Sequence, residues 1–156
     1  MPYRGIVDAD REDPAAQGAA DAYETLRILL TAHCELTETA ADQSQDLRAL
    51  LLRGGPRDRH LSRGGLSYGV LFHLARRTSP TEASDAHVAR NDEIQRLAQV
   101  LIAYRDELAA NRDQMTTLVN QLVPGITDEP RMGPFTAAKA ILDSGPFTLD
   151  EFRSWT

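Results

Sequence analysis

Between residues 94 and 122, large apolar side chains recur at alternating spacings of three and four residues. This spacing places them on one face of an α-helix, and about four heptads of it are typical of a coiled-coil seam. Asn111 is the polar residue of the series, and we interpret it as setting the register by hydrogen bonding. Either the other long helix of the chain or a second copy of the chain must cover this series, and we expect a homodimer. Its self-association surface would contain Ile94, Leu97, Leu101, Tyr104, Leu108, Asn111, Met115, Leu118 and Leu122.

A second, weaker stripe of the same spacing lies between Ala22 and Leu50. Asp13-Pro14 precedes it, and this pair is typical of a helix N-cap followed by proline at the first helical position. Gly54-Gly55-Pro56 should end the helix, with glycine in the left-handed conformation. The second long helix should begin at Ser79-Pro80-Thr81-Glu82, which has the pattern of a capping box. The sequence thus predicts an all-α fold built on a long antiparallel, coiled-coil-like helical hairpin.

We expect this hairpin to occupy residues 13–123. Within it, residues 53–65 should be a basic, glycine-rich connector, and a short helix should follow, from about Ser62 or Gly65 to Arg77. Residues 1–12 are polar and are predicted to form a flexible N-terminus.

Residues 124–156 are predicted to form a small helix-hairpin-helix-like unit, the start of a truncated terminal domain. A glycine turn at residues 130–133 should lead into a short helix at residues 135–144. Thr148 and Glu151 have the spacing of a further capping box.

Charge is unevenly distributed along the chain. The net charge is −6, yet the stretch from Arg53 to Arg77 carries six arginines against a single acid, Asp58. Such a block can attract a nucleic-acid backbone. The alternative is a solvated loop whose arginines form intramolecular ion pairs. The candidate nucleic-acid contacts are Arg53, Arg57, Arg59, Arg63, Arg76 and Arg77.

The turn sequence PRMGPFTAA, at residues 130–138, is similar to a helix-hairpin-helix. Such hairpins hold DNA phosphates with backbone N–H groups at a helix N-terminus. Its candidate contacts are Arg131, Gly133, Thr136 and Lys139. The alternative, favoured by the acidic residues nearby, is a structural turn that packs two helices.

The chain offers little for catalysis. Cys34 is the single cysteine, so no internal disulfide can form, and we interpret it as a small core residue in a reducing compartment. The four histidines lack metal-ligand spacing, and neither a phosphate-binding loop nor a nucleophile elbow occurs. No apolar run reaches the ~20 residues needed to span a bilayer. We expect a cytoplasmic protein without catalytic residue, metal, cofactor, small-molecule ligand or membrane partner.

The order of these pieces resembles the middle of the insertion-sequence transposases related to the pilin-gene DNA invertase. That group has a RuvC-like N-terminal domain and an RNA-guided mode of action. The resemblance is carried by AYETLRILLTAHCELTETAADQSQDLRALLL, LSRGGLSYGVLFHLARR, NDEIQRLAQVLIAYRDELAANRDQMTTLV and PRMGPFTAA. In the family, this part implies dimerisation and contact with a nucleic-acid complex.

The departures from the family limit what the resemblance implies. The acidic RuvC-like domain has no counterpart here, and Ser144 and Ser154 match no motif of the family's catalytic serine. Arg131 replaces the first glycine of the family's Pro-Gly-x-Gly turn, where glycine would supply a positive φ at little cost. The sequence therefore predicts a truncated, catalytically silent transposase-like protein. The alternative is a helical scaffold or protein-interaction module unrelated to transposition.

Overall fold

The computed structural model of this protein describes residues 13–155, and the predicted flexible N-terminus at residues 1–12 lies outside them. The predicted all-α class is confirmed, because the described residues form helices and contain no strand. The α-helices are α1 (Pro14–Leu52), α2 (Pro56–Arg63), α3 (Tyr68–Ala75), α4 (Asp85–Leu122), α5 (Pro134–Ser144) and α6 (Leu149–Ser154), and a 3₁₀ helix spans Ile126–Asp128. Within residues 13–155, no helix is both long enough and apolar enough to cross a lipid bilayer.

The helices divide into two compact units. The terminal unit comprises residues 13–32 and 111–155, and the middle unit comprises residues 33–110. Helices α1 and α4 each contribute one part to each unit. This division differs from the predicted one, which separated the hairpin from the rest of the chain after residue 123.

In the terminal unit, α1 packs against α4 and α5 around an aliphatic core. Leu26 of α1 is fully buried with Met115 and Val119 of α4, and Ala138 and Ile141 of α5 complete the same cluster. These side chains remove apolar surface from water at about 25 cal/mol per Å². The core therefore holds α5 against α1 and α4.

In the middle unit, α3 packs against α1 and α4. Leu47 and Leu51 of α1 share a core with Leu71 of α3, and Ile94 and Leu101 of α4 close it. The predicted short helix is thus confirmed as α3, although it begins at Tyr68. The opposite side of α3 stays at the surface, where it contributes to the candidate site described below.

Two helix starts follow their local capping signals. Asp13 Oδ1 accepts from the Ala15 N–H, and Thr148 and Glu151 form the predicted capping box. Helix α4, however, begins at Asp85, so the predicted start at residues 79–82 is wrong. Residues 80–83 form a turn, and the Ser84 hydroxyl accepts from the N–H of His87.

Three further interpretations of the sequence need correction. The predicted connector at 53–65 is not all loop, because its residues 56–63 form helix α2. Glycine does not end α1 in the left-handed conformation, since the positive-φ glycines among the described residues are Gly125 and Gly145. Cys34 is exposed and is not a core residue.

Candidate nucleic-acid interface

Helix α2 carries three arginines of the candidate site and is held in place by a fourth arginine from α1. Arg48 Nη1 donates to the carbonyl oxygens of Ser62 at 3.1 Å and Gly64 at 2.8 Å. The last carbonyls of a helix lack partners within the helix, and its dipole favours a cation there. Arg48 therefore anchors the C-terminus of α2.

A partly buried ion pair attaches the other face of α2. Arg77 Nη2 donates to Asp58 Oδ2 at 2.7 Å, and the side chains are 23% and 8% exposed. Gly54 makes room for this pair, because a Cβ atom there would lie 2.5 Å from Asp58 Oδ2. Arg77, predicted as a nucleic-acid contact, is thus occupied by an acid of its own chain.

Arg90 of α4 also anchors the end of α1. Its Nη1 donates to the carbonyl oxygen of Arg53 at 2.9 Å. Beside this bond lies an open cavity of about 410 Å³. It is lined by Leu50, Arg53, Ala86, His87 and Arg90. The guanidinium groups of Arg53 and Arg90 give this cavity a cationic lining.

The remaining five predicted arginines of the middle unit are exposed. Within residues 13–155, their guanidinium groups have neither a hydrogen-bond nor an ion-pair partner. Asp58, the acid of this stretch, is buried and paired with Arg77. The result is a local excess of unpaired positive charge. We call it the arginine surface, formed by Arg53, Arg57, Arg59, Arg63 and Arg76.

An aromatic pair on α3 adjoins Arg76 in the chain. The rings of Tyr68 and Phe72 stack with centroids 6.0 Å apart and planes 25° apart. Arg105 Cζ lies 5.4 Å from the centre of the Tyr68 ring, and the Tyr68 hydroxyl donates to Asp106 Oδ1 at 3.2 Å. The sequence analysis did not identify Phe72 as a candidate contact. Its spacing of four residues from both Tyr68 and Arg76 on a helix was the available signal.

The environment of Tyr68 also shifts its ionisation. Partial burial raises the pKa of the Tyr68 hydroxyl, and the hydrogen bond to Asp106 and the negative charge of that carboxylate raise it further. Arg105 opposes them by lowering the pKa. Tyr68 therefore keeps its proton at neutral pH and remains a donor to Asp106.

The glycine turn in the terminal unit keeps the tight geometry that its sequence had placed in question. Arg131 has φ 62°, and it is the non-glycine residue with positive φ in the described chain. Gly133 is the N-cap of α5, and Thr136 and Lys139 are exposed on its first two turns. The structure thus places these four residues together at the start of one helix. Phosphate binding there stays a prediction.

The predicted self-association series is covered by its own chain. Ile94, Leu97 and Leu101 lie in the core of the middle unit, and Met115 lies in that of the terminal unit. Tyr104, Leu108, Leu118 and Leu122 are half-buried, and Asn111 is buried. A second copy is therefore not needed to shield this series from water. The homodimer remains a prediction.

No protein-family model, curated protein or solved structure matches this chain in comparisons with known proteins. Across residues 13–155, no three side chains of histidine, cysteine, aspartate or glutamate are grouped so that they could hold a metal ion.

Proposed function

We propose that this chain is a non-enzymatic, helical nucleic-acid-contacting protein whose arginine surface binds the phosphate backbone. The resemblance to the coiled-coil segment of the transposases implies the same kind of contact. The observation that carries the proposal is that five exposed arginines have no partner among residues 13–155, while Asp58, the acid of the same stretch, is buried and paired. We also propose that the protein is cytoplasmic, since Cys34 is a free, exposed thiol.

The anchoring of α2 supports this function on energetic grounds. Phosphate contacts position a protein on nucleic acid and release counterions, so they give salt-dependent affinity without sequence readout. Arg48 and Arg77 hold the short helix from two sides, through Ser62, Gly64 and Asp58. The exposed arginines therefore project from a fixed backbone, which lowers the entropy lost when they bind phosphate.

A second candidate function, a protein-interaction module or homodimer, is favoured by a different observation. Ile28 on α1 is 59% exposed in the terminal unit, and Leu52 at the end of α1 is 53% exposed in the middle unit. Isolated exposed apolar residues are common on monomers. We rank this function second for that reason.

The direct test is fluorescence anisotropy with a labelled duplex and a labelled single strand of the same sequence. The variant Arg57→Ala/Arg59→Ala/Arg63→Ala should bind about tenfold more weakly than the wild type, because phosphate contacts supply most of the non-specific affinity. The matched control is Arg27→Ala/Arg96→Ala/Arg112→Ala, which removes the same charge from exposed positions on α1 and α4.

The control should stay within about twofold of the wild type if position, and not net charge, governs binding. If both triple variants lose the same affinity for nucleic acid, the loss reflects net charge and the arginine surface has no special role. An Arg131→Ala/Lys139→Ala variant tests the glycine turn separately. Loss of binding in that variant alone would move the interface to the terminal unit.

A further inference from the structure

The aromatic pair on α3 has no role in the contacts to phosphate. Tyr68 is 40% exposed and Phe72 is 46% exposed, although both are large rings on a helix whose other side is buried. The apolar core of the middle unit does not include these two rings, since Leu71 and Leu74 are the buried residues that α3 contributes to it. Their surface exposure therefore leaves stacking area available to a ligand.

The geometry of the pair is fixed before any ligand binds. Tyr68 is held by its hydrogen bond to Asp106, by Arg105 over its ring and by the stacked ring of Phe72. Phe72 in turn rests on a ring that has little freedom to move. A preorganised aromatic surface loses little conformational entropy on binding, which favours affinity.

The surroundings of Phe72 are cationic. The ring borders an open cavity of about 560 Å³. The cavity is lined by Gly69, Phe72, His73, Arg76, Arg77 and Thr78. Arg76 is exposed and belongs to the arginine surface, and the carboxylate of Asp106 already accepts from the Tyr68 hydroxyl. An aromatic face beside an available guanidinium group is complementary to a base attached to a phosphate.

We propose that Phe72, supported by Tyr68, is a stacking platform for an unpaired base of a single-stranded nucleic acid, and that Arg76 contacts its phosphate. This inference rests on the proposed function and narrows its substrate class. Single-stranded binding sites combine a positive groove with aromatic side chains, and every base offers a π-face. Bases inside a duplex are already stacked and paired, so the platform selects unpaired strands.

The experiment compares Phe72→Leu, which removes the ring but keeps an apolar side chain, with Phe72→Trp, which keeps an aromatic face. Both variants are titrated as full chains with a labelled single-stranded oligothymidine and a labelled duplex. Phe72→Leu should bind the single strand at least about fivefold more weakly and the duplex within about twofold of the wild type. Phe72→Trp should retain wild-type affinity for both. Far-ultraviolet circular dichroism checks that each variant is folded.

The outcomes separate this inference from the proposed function. If Phe72→Leu binds the single strand as tightly as the wild type while the α2 triple variant is weakened, the platform is wrong and phosphate contact stands. If the wild type binds neither oligonucleotide, both proposals fail. If Phe72→Leu leaves the affinity for both oligonucleotides unchanged and alters only the sedimentation coefficient of the free protein, the aromatic pair is a protein–protein contact and the stacking platform is wrong.

Discussion

Asn111 Nδ2 of α4 donates to the carbonyl oxygen of Leu29 of α1 at 3.0 Å, inside the terminal unit. Asn111 is only 7% exposed, and its series otherwise consists of apolar residues and one tyrosine. A buried amide that loses its partner pays the full cost of desolvation. The bond therefore favours one register of α4 against α1, as the sequence predicted for Asn111, but it acts within one chain.

Asn111→Ala should lower the free energy of unfolding by about 1–2 kcal/mol, because it removes this bond and leaves a small void. Asn111→Leu should cost less than Asn111→Ala, since it removes the same bond but leaves no void. Urea denaturation followed by circular dichroism measures both. Gln114→Ala, an exposed change on the same helix, is the control. If Asn111→Ala matches that control, the bond contributes nothing to stability.

The two neighbouring arginines at the end of α3 should differ sharply in their effect on stability. Arg77→Ala leaves the buried Asp58 carboxylate without its cation, which we expect to cost about 2–4 kcal/mol. Arg76→Ala removes an exposed charge that has no partner among the described residues, and it should change stability by less than about 0.5 kcal/mol. Thermal and urea unfolding of the two variants provides the measurement. Similar losses would show that the pair with Asp58 does not hold α2.

A matched pair of glycines tests the close approach of α1 and α2. A Cβ at Gly54 would lie 2.7 Å from Asp58 Cβ, whereas nothing lies within 4 Å of a Cβ at Gly55. Gly54→Ala should therefore destabilise the protein by about 1–3 kcal/mol through forced displacement of α2. Gly55→Ala should be close to neutral. Equal stabilities of the two variants in urea would contradict the packing of Asp58 against Gly54.

The ionisation of Tyr68 gives a prediction at alkaline pH. Because partial burial and Asp106 raise its pKa above the ordinary value near 10.0, the folded state holds the phenolic proton more tightly than the unfolded state. The stability gained in this way is present below pH 10 and is lost as the pH rises through the folded-state pKa. The absorbance of tyrosinate is measured against pH in the wild type and in Tyr68→Phe. The difference between the two titrations reports the ionisation of Tyr68.

Asp106→Ala should lower the pKa of Tyr68, because it removes both a hydrogen-bond acceptor and a nearby negative charge. An unchanged titration of Tyr68 in this variant would show that the hydroxyl does not donate to Asp106 in solution. The same variant should leave binding to duplex nucleic acid unaltered, since Asp106 is not part of the arginine surface.

Helices whose ends depend on local chemistry were predictable from the sequence. Asp13 caps α1, and Thr148 with Glu151 caps α6, because each capping group lies within three residues of its partner. Helix α2 was missed because distant contacts stabilise it, from Arg48 fourteen residues away and from Arg77 nineteen residues away. Tertiary contacts of this kind override a weak local propensity.

The sequence predicted the positive charge of the candidate site, but not which of its arginines are available to a ligand and which are paired within the chain. Counting residues located the basic stretch, yet it could not separate Arg76 from its neighbour Arg77, because only packing reveals that Arg77 is paired with Asp58. In the same way, the helical period alone left open whether the apolar series of α4 would be covered by a second molecule or by the same chain. In each of the two units, side chains of the same chain cover this series.

The slope of log binding constant against log salt concentration for a labelled duplex tests the central claim most directly, namely that the arginine surface binds phosphates. On B-form DNA each phosphate contact contributes about 0.9 to the slope. The variant with Arg57, Arg59 and Arg63 changed to alanine should lose about two to three units of slope. The control with Arg27, Arg96 and Arg112 changed should lose none. An unchanged slope in the first variant, or no binding by the wild type at low salt, would contradict the account.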